Sequence, residues 1–99
     1  MNRGTSAASA GTDAPTRIAL KLYASLIDYL PAEVRRTHRL VLDLPAGTTV
    51  ADVIAQQKLP LPMCHLVLVN GYFVPAGERA KRLLVPGDEL AIWPPIAGG

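Results

Sequence analysis

Residues 66–74, with the sequence LVLVNGYFV, decide how the rest of this chain folds. Leucine and valine alternate in the first four positions, a composition typical of a buried β-strand. Asn70-Gly71 follows, and this pair favours a tight hairpin turn because both residues tolerate a positive φ. Residues 72–74 are again apolar or aromatic. The stretch therefore predicts a strand that turns back into a short neighbouring strand.

Two segments before this hairpin alternate in hydrophobicity. Leucine or isoleucine occupies every second position in residues 17–23 and again in residues 39–44. This alternation predicts two strands that each bury one face. Between them, residues 24–30 are expected to form only a brief helical segment, because Pro31 disfavours the helical conformation at the residue before it. Residues 32–38 are expected to be a polar connection.

The main helix is predicted to begin at Thr49 and to end at Lys58. Thr49 and Asp52 have the spacing of a capping box, with Asp in place of the usual Glu. Prolines at positions 60 and 62 would stop the helix. The apolar residues that recur at helical spacing are Val50, Val53 and Ile54.

The last third of the chain predicts a loop and a final strand. Residues 75–81 are expected to be irregular, and residues 83–85 to return to the core. Pro86-Gly87-Asp88 is expected to turn the chain into a strand from Glu89 to Trp93, with Asp88 bonded to nearby backbone rather than acting as a catalytic acid. The element order predicts an α+β fold in which one main helix packs across one face of a mixed sheet. We expect the last strand beside the first.

Composition limits the classes of protein to consider. The 99-residue chain has a single cysteine, which excludes an internal disulfide. The longest aliphatic run is far shorter than a membrane span, and no apolar secretory signal begins the chain, so we expect no membrane association and a cytoplasmic location. Residues 1–16 are rich in Ala, Ser, Thr and Gly and are expected to be disordered. The folded domain is then expected to cover residues 17–93.

The charged and metal-ligating residues give no strong site. Net charge is +2, and the basic residues form two small groups, Arg35/Arg36/Arg39 and Arg79/Lys81/Arg82. Neither group is interleaved with aromatic residues, which favours solvated charge, or docking onto an acidic protein surface, over nucleic-acid binding. The aromatic residues do not share one face of a helix or strand that is long enough to serve as a stacking platform for bases. Cys64 and His65 are adjacent, but a zinc site usually takes four ligands, so we expect no bound metal.

Residues 94–99, PPIAGG, are interpreted as a presented tail. Glycines carry no side chain and can thread a narrow channel, while prolines favour an extended stalk. Six extended residues reach roughly 20 Å, enough to enter a partner's active site. A domain this small leaves little room for a catalytic cavity, so we expect a carrier rather than an enzyme. The reacting group is expected to be the Gly99 carboxylate, presented by Pro94, Pro95, Ile96, Ala97 and Gly98.

A docking patch is expected on the face of the sheet that the helix leaves uncovered. The strand at residues 66–69 is apolar on both parities, and the final strand has apolar residues on both parities as well. Some of these side chains should then face outward and meet a partner, unless residues 75–81 or 24–30 cover them. The members of this docking patch are Val67, Val69, Phe73, Ala91 and Trp93.

Three segments in this order around such a helix carry a family resemblance: LVLVNG at 66–71, VPGDEL at 85–90 and WPPIAGG at 93–99. They resemble the ThiS/MoaD sulfur-carrier family of ubiquitin-like β-grasp proteins, over residues 17–99. The resemblance implies that an E1-like adenylating enzyme activates the Gly99 carboxylate with ATP. It also implies that a sulfur donor converts this group to a thiocarboxylate, which a synthase consumes. No cofactor intrinsic to this chain is implied.

Within the family, the Pro-Pro pair and the domain length resemble MoaD, the small subunit of molybdopterin synthase, more than the shorter ThiS. The region from Asp28 to His38 differs from the longer first helix of MoaD-like chains, which leaves another sulfur pathway open. Two other functions share this fold: a protein modifier conjugated through Gly99 to lysines, and an interaction module whose glycines are incidental.

Overall fold

The two alternating segments pair as the first hairpin of the computed structural model, which describes residues 15–95. β1 spans Thr16–Leu22 and β2 spans Arg39–Leu44. The two strands are antiparallel, with Leu20 opposite Leu40, so that their leucines lie on the same face. β1 begins one residue earlier than expected.

The connection between these strands is helical only in short pieces, as predicted from its proline. A 3₁₀ helix spans Ala24–Tyr29 and buries Leu26. It ends at Leu30, whose backbone is extended with φ −87° and ψ 150°, the conformation that a following proline favours. A second 3₁₀ helix, Ala32–Val34, lies within the polar connection.

The main helix α1 spans Val50–Gln56 and begins with the predicted capping box. The Thr49 hydroxyl accepts a hydrogen bond from the Asp52 backbone N–H at 3.1 Å, and the Asp52 carboxylate accepts one from the Thr49 N–H at 2.9 Å. The helix ends earlier than the predicted Lys58, which has a positive φ of 59° and turns the chain away. Its buried side chains are Val50, Val53 and Ile54, as predicted.

Three further strands, β3 at Leu66–Val69, β4 at Tyr72–Phe73 and β5 at Glu89–Trp93, complete one five-stranded mixed sheet with the order β2-β1-β5-β3-β4. The predicted hairpin is confirmed, with β3 and β4 paired around the Asn70-Gly71 turn. β5 is parallel to β1 and antiparallel to β3. The last strand therefore lies beside the first, as expected, and the chain leaves from the middle of the sheet.

One face of the sheet and α1 enclose the core. The 3₁₀ helix Leu61–Met63 links α1 to β3. The expected return of residues 83–85 to the core is correct only for Leu84, because Leu83 and Val85 are about half exposed. The backbone here is held by a hydrogen bond from the Leu84 N–H to Thr48 O, which turns its two neighbours outward. Within residues 15–95, no helix has both the length and the apolar character needed to cross a bilayer.

Asp88 is buried and organises the turn before β5. Its carboxylate accepts hydrogen bonds from the Asn70 side-chain amide at 2.8 Å and from the Val85 N–H at 2.9 Å. The Asn70 side-chain oxygen in turn accepts a bond from the Glu89 N–H at 2.9 Å. The predicted turn role of Asp88 is confirmed, and the same carboxylate ties this turn to the β3–β4 hairpin.

Asp88→Ala is expected to lower the free energy of unfolding by about 2 kcal/mol, because two donors lose their acceptor inside the fold. Urea unfolding followed by circular dichroism measures this change. Asp28→Ala is the matched control, since the Asp28 side chain is exposed and makes no side-chain hydrogen bond within the described residues. Equal unfolding midpoints for the two variants would contradict the role assigned to Asp88.

Candidate functional site

The end of β5 is held on both sides just before the tail begins. The Tyr23 N–H donates to Ile92 O at 3.2 Å, and the His65 N–H donates to Trp93 O at 3.0 Å. Pro94 is still buried, while Pro95 is exposed, so the chain emerges from the fold at Pro95. Residues 96–99, which include the predicted reacting group and most of the residues expected to present it, lie outside the described residues.

An aromatic cluster supports this exit point. The rings of Tyr23 and Trp93 stack with centroids 4.2 Å apart and parallel planes. His38 contacts Tyr23 edge-on at 5.6 Å, and Lys21 Nζ lies 5.9 Å from the Tyr23 ring centroid. Sequence reasoning missed this cluster, because it grouped the aromatic residues by position along single elements. The two ring positions become neighbours only through the parallel β1–β5 register, so the sequence by itself carried no signal for this stack.

The expected docking patch is wrong for three of its five members. Val67 and Val69 are fully buried at 0% exposure, and Ala91 is buried at 7%. Phe73 is exposed at 58%, and Trp93 is half-buried. A partner could contact only these last two side chains of the predicted set.

The two valines are buried because they occupy alternate positions of β3 whose side chains face α1. Val67 is opposite Ile92 and Val69 is opposite Leu90, so both valines lie on the face that α1 covers. Because successive side chains of a strand point to opposite faces, Leu66 and Leu68 lie on the other face, and both are half-buried there. Ala91 shares that face but is too small to reach past its neighbours.

The uncovered face therefore carries an apolar surface made of different residues. We call it the open-face patch, and its members are Leu66, Leu68, Phe73 and Trp93. Leu66 is opposite Trp93, the last strand residue before the tail, and Leu68 is opposite Phe73. The patch thus begins at the base of the tail and runs toward the β4 edge of the sheet.

The part of the open face on β1 and β2 carries mainly charged side chains, together with Ala19 and the exposed Val41. Arg17 binds the Asp43 carboxylate with two bonds, from Nε at 2.7 Å and from Nη2 at 2.9 Å. The hydrogen bond from Arg17 holds the pKa of Asp43 below its ordinary value, against the opposing effect of desolvation. Lys21 Nζ lies 3.8 Å from the Glu89 carboxylate. This charged half borders the open-face patch.

The side chains of Cys64 and His65 lie in different environments. Cys64 is buried, its thiol donates to Pro60 O at 3.5 Å, and burial raises the pKa of the thiol. His65 is exposed. Among residues 15–95, no three His, Cys, Asp or Glu side chains come together in a metal-binding group. The expectation that the chain binds no metal stays a prediction.

The two basic groups differ in structure. Arg35 is folded back onto its own chain, donating to Leu30 O at 2.9 Å and to Asp28 O at 3.2 Å, so it closes the end of a 3₁₀ helix. Arg82 donates to Leu83 O at 2.6 Å. Arg79 is half-buried and lies against α1, with its backbone carbonyl accepting from the Ala51 N–H at 2.9 Å. Tyr72 and Phe73 lie beside Lys81 and Arg82 of the second group, a proximity that the sequence did not indicate. The expectation that the chain binds no nucleic acid stays a prediction.

Comparison with solved structures places the fold among β-grasp proteins. SAMP1 from Haloferax volcanii is 27% identical with a TM-score of 0.56, over 84% of this chain and 99% of that chain. A Pyrococcus furiosus chain described as molybdopterin converting factor, subunit 1, is 19% identical with a TM-score of 0.59, over 82% and 99%. Small archaeal modifier protein 1 from Methanosarcina acetivorans is 24% identical with a TM-score of 0.56, over 86% and 98%.

These likenesses confirm the predicted ubiquitin-like β-grasp fold, and the last two, at their low identity, support the fold alone. No curated protein matched the sequence. The model of the ThiS family matches residues 29–99, which is more than half of the chain and includes the glycine pair. By this match, and in agreement with the resemblance of its three segments, the chain belongs to the ThiS family.

Proposed function

We propose that this protein is a sulfur carrier that works through the carboxylate of Gly99. The observation that carries the proposal is the family match, which continues through the Gly98-Gly99 pair. The described fold supports it, because the chain emerges at Pro95 from a strand whose end is hydrogen-bonded on both sides. A rigid base followed by a narrow segment suits delivery of a carboxylate into another protein.

The proposed chemistry has two steps, each carried out in a partner's site. First, a Gly99 carboxylate oxygen attacks the α-phosphorus of ATP, and pyrophosphate leaves, which forms an acyl-adenylate. Second, the sulfur of hydrosulfide attacks the acyl carbon and AMP leaves, so that the products are the thiocarboxylate and AMP. Adenylation is needed because a bare carboxylate offers no leaving group, and the thiocarboxylate sulfur is a soft nucleophile similar to a thiolate.

In this proposal the chain is a substrate of an E1-like adenylating enzyme and not itself a catalyst, and ATP belongs to that partner. The open-face patch is the proposed docking surface, because Trp93 joins it directly to the base of the tail. A partner seated on Leu66, Leu68 and Phe73 would receive the tail at a fixed distance. The synthase that takes the sulfur would use the same surface at another time.

The pathway proposed is molybdopterin synthesis in the cytoplasm, with this chain as the small subunit of the synthase. Its support is the Pro94-Pro95 pair and the domain length, both similar to MoaD-like chains. The fold likeness to the Pyrococcus furiosus chain agrees with it at the level of architecture.

The test is incubation of the full chain with its adenylating enzyme, ATP and a sulfide source, followed by intact mass analysis. The expected product carries one sulfur in place of one oxygen. Oxidation of Met63 or Cys64 adds almost the same nominal mass, so the product is alkylated with iodoacetamide and the label located in the C-terminal peptide. Absence of a C-terminal label with the cognate enzyme would contradict the carrier function.

A second candidate is a protein modifier joined through Gly99 to lysines. The likeness to the modifier protein SAMP1 at 27% identity favours it. In the same assay, lysine-linked conjugates without a thiocarboxylate intermediate would support the modifier, and both products together would support a dual role. If the assay gives no product that depends on Gly99, the interaction module is the function that remains.

A further inference from the structure

A cavity of about 900 Å³ lies on the helix side of the sheet, the side opposite the open face. It is open to solvent and is bounded by α1, by the 3₁₀ helix Leu61–Met63 and by residues 76–80. This volume is in the range of sites that hold small molecules. Its walls are mainly apolar, and they include Ala51, Ile54, Ala55, Leu59, Leu61 and Ala76.

The polar side chains of this cavity are all basic. Lys58, two residues after the end of α1, lines it together with Arg79 and His65, and no Asp or Glu of the described residues does. Apolar walls with a few polar groups at one side fit a ligand that has an aliphatic body and one charged end. The sign of the lining charge requires that end to be an anion.

Arg79 shows which anion fits. Its Nε is buried and has no hydrogen-bond partner among residues 15–95. Arg17, by contrast, uses its Nε and Nη2 together to hold the two oxygens of the Asp43 carboxylate. A guanidinium edge of this kind matches the geometry of a carboxylate. In Arg79 the Nε atom is desolvated without a partner among the described residues, a state that costs free energy and that a carboxylate hydrogen-bonded to this atom would relieve.

The Arg79 charge also acts on the cavity wall. It opposes the rise that burial causes in the pKa of the Cys64 thiol, so the guanidinium lies near another lining residue. Cys64 itself donates to Pro60 O and offers no competing acceptor for the guanidinium.

We propose that this cavity binds a small aliphatic monocarboxylate, with its chain between α1 and Leu61 and its carboxylate on Arg79 and Lys58. The site does not depend on activation of Gly99. It does adjoin the tail, because His65 lines the cavity and its N–H holds Trp93 O. Ligand binding in the cavity should therefore change the environment of this hydrogen bond, which is the last one before the tail.

The test is a titration of the ¹⁵N-labelled full chain with octanoate, below its micellar concentration, followed by amide chemical shifts. Saturable shifts are expected at Ala51, Ala55 and Ala76, with a smaller shift at Trp93. Octanol and octylammonium have the same chain without the carboxylate. Both are expected to bind roughly tenfold more weakly, as the loss of a charge-assisted hydrogen bond implies.

Variants test the assigned contact. Arg79→Gln is expected to weaken octanoate binding roughly tenfold. Arg79→Lys keeps the charge without the two-donor edge. Its affinity for octanoate should lie between that of Arg79→Gln and that of the wild-type chain. Arg36→Gln, at an exposed arginine, is the control and should bind as the natural chain does. The amide spectrum of each variant reports whether it is folded.

Four results would overturn the proposal. One is the absence of saturable shifts, and a second is equal affinity for octanoate and octanol. A third is binding at the amides of Leu68 and Phe73, which would assign octanoate to the open-face patch. The fourth is binding that occurs only after residues 96–99 are removed, which would make the chain's own end the occupant.

Discussion

Deletion of Gly99 is expected to reduce formation of the C-terminal thiocarboxylate by roughly 10²-fold or more, with no change in the unfolding midpoint. One residue of extended chain spans ~3.5 Å, so the new carboxylate would stop short of the reacting phosphate by that distance. A displacement of about 1 Å at a reacting centre can already cost about 10²-fold in rate. Single-turnover rates of acyl-adenylate formation, measured by pyrophosphate release, give the comparison.

Gly98→Val should have nearly the same effect for a different reason, because it places a β-branched side chain in a channel that fits glycine. The matched control is Gly77→Val. A Cβ atom at Gly77 meets nothing within 4 Å, and its backbone is not in the left-handed region. The control should be adenylated at the same rate as the wild-type chain. Normal activation of Gly98→Val, or equal loss in Gly77→Val, would count against a narrow channel around the tail.

Val67→Asp is expected to unfold the domain, whereas Leu68→Asp should leave it folded and prevent partner docking. The Val67 side chain is fully buried, and an unpaired carboxylate there would cost more than about 4 kcal/mol, most of the stability of a small domain. Leu68 is half-buried on the open face, so the same change should cost only about 1 kcal/mol. Circular dichroism and urea unfolding distinguish the two variants.

The functional half of this prediction concerns the adenylating enzyme. Leu68→Asp places a charge within the open-face patch and is expected to raise the KM for the carrier roughly tenfold or more. The control for charge alone is Val41→Asp, on the same face but in β2, at the charged side of the sheet. A folded Val67→Asp would contradict the assigned faces of β3, and an unchanged KM for Leu68→Asp would contradict the docking role of the open-face patch.

The local features of this fold follow from short segments of sequence. Thr49 and Asp52 lie within one helical turn, so their capping bonds form wherever α1 forms. Asn70-Gly71 makes its turn because both residues adopt positive φ, at 52° and 86°. Leu30 is extended because Pro31 follows it. Each of these predictions depends on atoms a few bonds apart, which is why sequence alone was sufficient.

The element order and the alternating leucines also determined the architecture. They predicted a mixed sheet with α1 across one face and the last strand beside the first, and this is the observed order. The Asp88 turn was predicted from its neighbours Pro86 and Gly87. Its hydrogen bond to the Asn70 side chain was not, because Asn70 belongs to a different hairpin.

Only the tertiary structure decided which side chains a partner or ligand can reach. β3 is apolar on both parities, so its sequence is compatible with either face against α1, and the pairing of Val67 with Ile92 chose between them. The stack of Tyr23 on Trp93 likewise needed the parallel register of β1 and β5. The cavity beside Arg79 exists because the loop after β4 crosses back to α1. Sequence determined the elements through local interactions, while the surfaces between them arose from contacts between residues far apart in the chain.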